Sequence, residues 1–274
     1  MARPVAVYGE SVAPLAFTSK GTGQPVLLLH GQPGTSTVWF RLQPLLADAG
    51  FRAVAVDRPG YGQTGGDPAG FAGNAERAFA LLDYLELPLV TIVGHSWAGA
   101  VAIQMALTQP DRVRGLVLQG SVGGGGSVTL TDRALALPVL GPAAFAAGLR
   151  VAAVGLRWDR IRHRMAPELR DLPRHRLTAM ASSWSQGSTA RAVASEQRSL
   201  VGELPAIQAR LSEMDTPTVV LVGRDDRLVA PAAQRDLCDR LPHGEVVEVA
   251  GGHFLGTENP DAVLAAVATV SVSG

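Results

Sequence analysis

The chain has 274 residues, 24 basic and 24 acidic side chains, and 47% hydrophobic residues. That length and apolar content exclude a disordered chain and suit one large α/β domain, or a core with an insertion. The neutral balance argues against nucleic-acid binding, and the single cysteine, Cys238, excludes a disulfide framework or a cysteine-cluster zinc site.

The first residues, Met1 to Glu10, contain no apolar targeting core and carry an early acid. Short apolar runs then alternate with helix-length segments, the pattern of βαβ units on a parallel sheet. Pro25 to His30 reads as a strand ending in the turn Gly31-Gln32-Pro33-Gly34, and Thr37 to Ala47 as a helix. Arg52 to Asp57 is a second strand before the turn Arg58-Pro59-Gly60-Tyr61-Gly62. A helix over Phe71 to Leu85, a buried strand over Leu89 to Gly94, a helix over Ser96 to Thr108 and a strand over Arg114 to Gln119 follow. Gly123-Gly124-Gly125-Gly126 breaks the rhythm, and residues 121–200 show helical periodicity without a convincing strand. The pattern resumes with a strand over Pro217 to Val222, a helix over Pro231 to Leu241, a strand over Glu245 to Ala250 and a helix from Pro260. Two core segments, 1–120 and 201–274, are therefore expected to enclose a helical lid at 121–200. The longest uncharged apolar stretch, Ala134 to Leu149, is broken by Pro138 and Pro142 and is shorter than the roughly 18 to 20 residues of a membrane span. A soluble, cytoplasmic protein without stable membrane insertion is expected; the oligomeric state is not legible.

Gly94-His95-Ser96-Trp97-Ala98-Gly99 lies where a predicted strand meets a predicted helix. A serine there sits on a sharp turn with its Oγ exposed, and small neighbours two residues away let the backbone pack tightly. Serine is also a common helix N-cap, so the hexapeptide needs partners to carry chemistry. A nucleophilic serine requires a histidine base and a carboxylate that orients it. Two later strands end at Gly223-Arg224-Asp225-Asp226 and at Gly251-Gly252-His253-Phe254. The order Ser96, Asp226, His253 is the expected triad, with Asp225 the second candidate for the acid. The backbone N–H groups of Trp97 and Gln32 are the candidate oxyanion donors, because Pro33 has none. His30 and His95 read as turn-shaping residues rather than as metal ligands.

Leu27-Leu28-Leu29-His30-Gly31, Asp57-Arg58-Pro59-Gly60-Tyr61-Gly62, Gly94 to Gly99, Gly223 to Asp226 and Gly252-His253-Phe254 together resemble the α/β-hydrolase fold superfamily across nearly all of the chain outside 121–200. The resemblance implies a mostly parallel central sheet flanked by helices, selects Asp226 as the acid, and makes Asp57 structural. His-Gly-x-Pro and Gly-His-x-Trp are similar to epoxide hydrolases and haloalkane dehalogenases, but those enzymes place an aspartate where this chain has Ser96. The lid tyrosines of epoxide hydrolases have no counterpart either, since Tyr8, Tyr61 and Tyr84 all lie outside 121–200. Carbon–carbon bond hydrolases of the meta-cleavage type usually carry Asn, and cofactor-free haloperoxidases Phe, where this chain has His95. His95 is common among esterases and lipases of the fold, so hydrolysis of a carboxylic ester of a small-molecule substrate, without metal or cofactor, is the expected activity. A ligand-binding receptor with little turnover, and a lyase or acyl-transfer enzyme using the same triad, are the alternatives.

The 121–200 segment holds eleven arginines and five acids, a local charge of +6. Such a charge suits an anionic substrate or partner, or simply a solvated helix face. Trp158, Met165, Met180 and Trp184 are candidates for an apolar substrate pocket, with core packing the alternative.

Overall fold

A computed structural model of the chain describes residues 14–272 except 139, 159, 162–168 and 170–171. Seven strands form one sheet: β1 (Phe17–Lys20), β2 (Gln24–Leu29), β3 (Phe51–Val56), β4 (Val90–His95), β5 (Val113–Gln119), β6 (Thr218–Gly223) and β7 (Gly244–Val249). Their order is β1-β3-β2-β4-β5-β6-β7, with β1 antiparallel to β3 and every other pair parallel.

The central strands are continuous apolar runs because both sheet faces are covered. Alternation along each strand divides the core. Leu27, Leu29, Ile92, Leu116 and Leu118 face one layer, built on helices α2 (Phe71–Tyr84) and α3 (Trp97–Thr108). Val26, Leu28, Val93 and Val117 face the other, covered by α1 (Leu42–Asp48) and by the C-terminal helix Pro260–Val272.

Between β5 and β6 the chain forms α4 (Leu130–Leu135), α5 (Leu140–Gly155), α6 (Arg174–Trp184), α7 (Gly187–Gly202) and α8 (Leu204–Gln208), with no strand among the described residues. The sheet then closes around α9 (Pro231–Asp239), and α10 (Leu255–Glu258) precedes α11 (Pro260–Val272). No described helix is long and apolar enough to cross a membrane.

One sequence expectation changes, and one strand appears where none was expected. Thr37 to Ala47 is not one helix: a 3-10 turn covers Ser36–Trp39, and α1 starts only at Leu42. Pro44 is the reason. Without an N–H it cannot bond the Phe40 carbonyl, and its ring would collide with that carbonyl, so it is tolerated only in the first turn of a new helix. The edge strand β1, Phe-Thr-Ser-Lys, carries no clear alternation and is half exposed, so its pairing comes from β3 rather than from its own pattern.

Candidate active site

The parallel strands end together along one edge of the sheet, and the loops leaving β2, β4, β6 and β7 meet there. Ser96 joins β4 to α3 with φ 55° and ψ −123°, a left-handed conformation that non-glycine residues rarely adopt. Its N–H donates to the Gln119 carbonyl (3.0 Å), and its carbonyl accepts from Gly99 N–H (3.0 Å), which pins the turn from both sides. Gly94 is required by close packing: a Cβ there would lie 2.9 Å from Gly99 Cα and 3.0 Å from the Ala98 carbonyl oxygen.

His253 follows β7. Its Nδ1 is 2.9 Å from Asp226 Oδ2, in the loop after β6. An ionised carboxylate only accepts, so Nδ1 carries a proton, and in the neutral ring Nε2 is the nitrogen that keeps its lone pair. Asp226 is itself fully bonded: Oδ1 accepts from the N–H groups of Leu228 (2.9 Å) and Val229 (3.0 Å), and Oδ2 also accepts from Gln234 Nε2 (3.0 Å). Burial pushes the Asp226 carboxyl up, but its bond to His253, the histidine charge and the two amides outweigh burial and hold it below the usual carboxylate range. Asp225 is exposed and its N–H bonds the Gly251 carbonyl (3.0 Å), so the histidine partner is Asp226.

His95, the residue before Ser96, packs against His253. Its ring centroid is 4.8 Å from that of His253, and Nε2–H donates to the His253 carbonyl (3.0 Å). Ser96 Oγ makes no hydrogen bond among the described residues. The hydrogen-bonded pair is Asp226–His253, and Ser96 is not bonded to it. Such contacts commonly tighten only when substrate is bound.

The loop after β2 passes directly over Ser96: a Cβ at Gly31 would lie 2.9 Å from Ser96 Cβ, so only glycine fits. The next residue is Gln32. Neither its N–H nor that of Trp97 donates to a protein group among the described residues.

His30 organises this loop. Its Nε2 accepts the Arg58 N–H (3.0 Å), and its Nδ1–H donates to the Gly31 carbonyl (2.8 Å), an arrangement available only to the neutral ring. Burial lowers the pKa of His30 well below that of a free histidine, and burial also lowers that of His95, to about 3. Below pH of about 6.5 the unfolded chain therefore takes up protons that these folded rings refuse, and stability falls as pH drops. Each ring adds a slope of about 1 kcal/mol per pH unit. Urea unfolding of a His95→Asn variant between pH 7 and 5 is expected to show a slope shallower by that amount; an unchanged slope contradicts a neutral buried His95.

A buried polar knot that no sequence motif marks lies behind this loop. Arg58, in the turn after β3, forms an ion pair through Nη1 with Glu196 Oε1 on α7. Its Nε and Nη2 donate to the carbonyls of His30 (2.7 Å) and Gly31 (3.1 Å). Tyr61 OH donates to Glu196 Oε2 (2.6 Å), and the Trp97 indole N–H donates to the Glu196 carbonyl (3.0 Å). Arg58 and Glu196 are 1% and 0% exposed. Burial raises the Glu196 carboxyl above the usual range, while Arg58 and the two hydrogen bonds pull it back down. The sequence does contain one signal. Thr189, Val193, Glu196 and Leu200 recur at helical spacing, which places Glu196 on the face of α7 that packs inward.

An open cavity of about 520 Å³ adjoins the site, lined by Pro33 and Gly34 of the β2 loop, by Phe254 beside His253, and by residues of α6. Met180 and Trp184 line it. Trp158 does not: it stands 63% exposed beyond the end of α5, continuing the outward stripe of Val151 and Val154. Met165 lies outside the described residues. No group of three or more potential metal-ligating side chains occurs among the described residues. Cys238 is buried on α9, where burial pushes its thiol up.

A mostly parallel sheet carrying a serine on a strained strand-to-helix turn, with an Asp–His pair on later strand ends, defines a class. The chain belongs to the alpha/beta hydrolase fold family, which matches residues 24–260. It is similar to the bifunctional epoxide hydrolase 2 of Rattus norvegicus, 36% identical over 104 residues, a stretch covering 36% of this chain and 19% of that protein. It is 31% identical over 215 residues to the 2-hydroxy-6-oxo-2,4-heptadienoate hydrolase of Pseudomonas putida, covering 76% of this chain and 74% of the other. Among solved structures, an alpha/beta hydrolase fold protein from Burkholderia ambifaria superposes with a TM-score of 0.75 at 24% identity, over 92% of this chain and 93% of that one.

Proposed function

We propose that the chain is a serine hydrolase cleaving carboxylic esters of small to medium apolar substrates. The observation that carries this reading is the 2.9 Å Asp226–His253 bond, which fixes the tautomer in which the neutral ring offers Nε2 as the base for Ser96. His253 Nε2 takes the Ser96 hydroxyl proton as Oγ attacks the ester carbonyl. The N–H groups of Gln32 and Trp97 hold the oxyanion. Collapse of the tetrahedral intermediate breaks the bond to the alcohol, which leaves with the proton from His253. Water, deprotonated by the same nitrogen, then attacks the acyl-enzyme, and release of the acid restores Ser96.

Ser96 itself separates this chemistry from that of the epoxide hydrolase relative. A serine would form an ether on opening an epoxide, and an ether offers water no carbonyl to attack. The open cavity beside the β2 loop supports a small-molecule substrate, and the helices of 121–200 act as its lid. A cytoplasmic location fits this role.

A fluorophosphonate probe tests the reading. It is expected to modify the peptide containing Ser96 and to abolish hydrolysis of p-nitrophenyl butyrate in step with labelling. Ester turnover that survives complete labelling, or labelling confined to another residue, overturns it. An unlabelled protein that still binds ester ligands is instead a receptor-like member of the fold.

A further inference from the structure

The cavity beside the catalytic edge is apolar over most of its wall, with Val38, Phe40, Leu172, Met180, Trp184 and Phe254 contributing. Among its described lining residues there is no aspartate or glutamate, yet Arg176 of α6 is one of them. This guanidinium is not loose. It stacks on the Phe40 ring with Cζ 3.9 Å from the centroid, and its Nη1 donates to the Thr37 carbonyl (3.1 Å). Arg41 lies against the same ring at 5.6 Å and donates to the carbonyl of Thr257, a further wall residue (2.9 Å). Neither arginine has a carboxylate partner within ion-pair distance among the described residues.

Two guanidinium groups held on one aromatic ring repel each other, and among the described residues no carboxylate lies within ion-pair distance of either. Partial burial also pulls Arg176 below its ordinary pKa. Arginine presents paired N–H donors that match the two oxygens of a carboxylate, and a donor already held by a ring and a carbonyl loses little freedom on meeting one.

We propose that the substrate fills this cavity with a short apolar segment and presents a carboxylate to Arg176, so that Arg176 is a specificity-determining residue for an anionic ester. This deepens the ester-hydrolase reading and rests on it for the chemistry at Ser96, but not for the recognition of the anion.

Two pairs of esters test it. In the first the charge lies on the acyl side: mono-p-nitrophenyl adipate against p-nitrophenyl hexanoate. In the second it lies on the alcohol side: the acetate ester of 5-hydroxypentanoate against pentyl acetate. At least one pair is expected to show kcat/KM for the charged member about tenfold or more above its neutral partner, the size of a charge-assisted hydrogen bond. Arg176→Met should collapse that ratio to near one, and Arg176→Lys should retain part of it. The ratio matters because Arg176 also ties α6 to the β2 loop. Loss of that tie alone would lower both members equally and leave the ratio unchanged. Absence of a preference in both pairs, or a preference that survives Arg176→Met, overturns the proposal while leaving ester hydrolysis intact. Calorimetric titration with adipate supplies the independent arm. Wild type is expected to bind it about tenfold or more tightly than Arg176→Met, even if no ester is turned over; equal binding counts against the proposal.

Discussion

Replacing Glu196 with alanine is expected to lower the unfolding free energy by about 3–5 kcal/mol, the usual cost of leaving one member of a buried ion pair uncompensated. The geometry places this substitution at the upper end of single-residue effects. Glu196 is completely buried, both carboxylate oxygens are engaged, and its removal strands Arg58 at 1% exposure with Tyr61 OH also unpartnered. The ring faces of Tyr61 and Trp97, 5.1 and 4.7 Å from the Arg58 guanidinium, offset only part of that loss. Because Arg58 also holds the carbonyls of His30 and Gly31, the damage extends to the loop that positions Gln32. Two readouts are therefore expected to move together: the denaturant midpoint falls, and kcat falls more than KM rises. The double substitution Arg58→Met with Glu196→Leu removes both charges and should recover much of the stability without recovering the rate. A Glu196→Ala protein within about 1 kcal/mol of wild type would show that water reaches Arg58 and that the pair is not structural.

The parts of this site that were legible in the sequence are those encoded locally. A strand buried on both faces must be continuously apolar, so Pro25 to His30 and Leu89 to Gly94 declared themselves, and so did the turns at their ends. Ser96 and Asp226 follow such strands, His253 follows the half-buried edge strand β7, and the three could be ordered without coordinates. The knot of Arg58, Tyr61 and Glu196 could not be read that way. Arg58 and Glu196 lie 138 positions apart, and nothing near either residue marks it as the partner of the other. Counting Glu196 as one of five acids in an arginine-rich segment treated it as surface, whereas its place on the inward face of α7 buries it completely. The same limit applies to the pocket. Trp158 and Trp184 look equivalent as aromatic residues in helical surroundings, and only the packing of α5 against α6 and α7 separates the exposed one from the one that lines the cavity. Arg176 was one of eleven arginines until the ring of Phe40 and the carbonyl of Thr37 distinguished it.

The second large effect falls on chemistry rather than on stability. Asp226→Asn is expected to lower kcat for a p-nitrophenyl ester by about 10⁴-fold while the protein stays folded. The asparagine amide can keep the Leu228 and Val229 N–H bonds through its oxygen, since both reach Oδ1. Its NH₂ then occupies the Oδ2 position, where it meets His253 Nδ1 and Gln234 Nε2. A donor facing Nδ1 forces the proton of neutral His253 onto Nε2, the nitrogen needed to accept from Ser96. The wrong tautomer, rather than a lost contact, stops the reaction. Asp226→Ala removes the tautomer bias instead of reversing it, and also leaves the two loop amides unsatisfied. It should therefore cost more stability than Asp226→Asn, while its rate loss is no greater than that of the asparagine variant. Ser96→Ala is expected to set the floor, because it removes the proposed nucleophile and leaves the Gln32 and Trp97 N–H groups and the cavity in place. If Asp226→Asn retained more than about a tenth of the wild-type rate, Asp226 would not be setting the histidine tautomer. Asp225, one residue away and exposed, would then have to be tested as the acid.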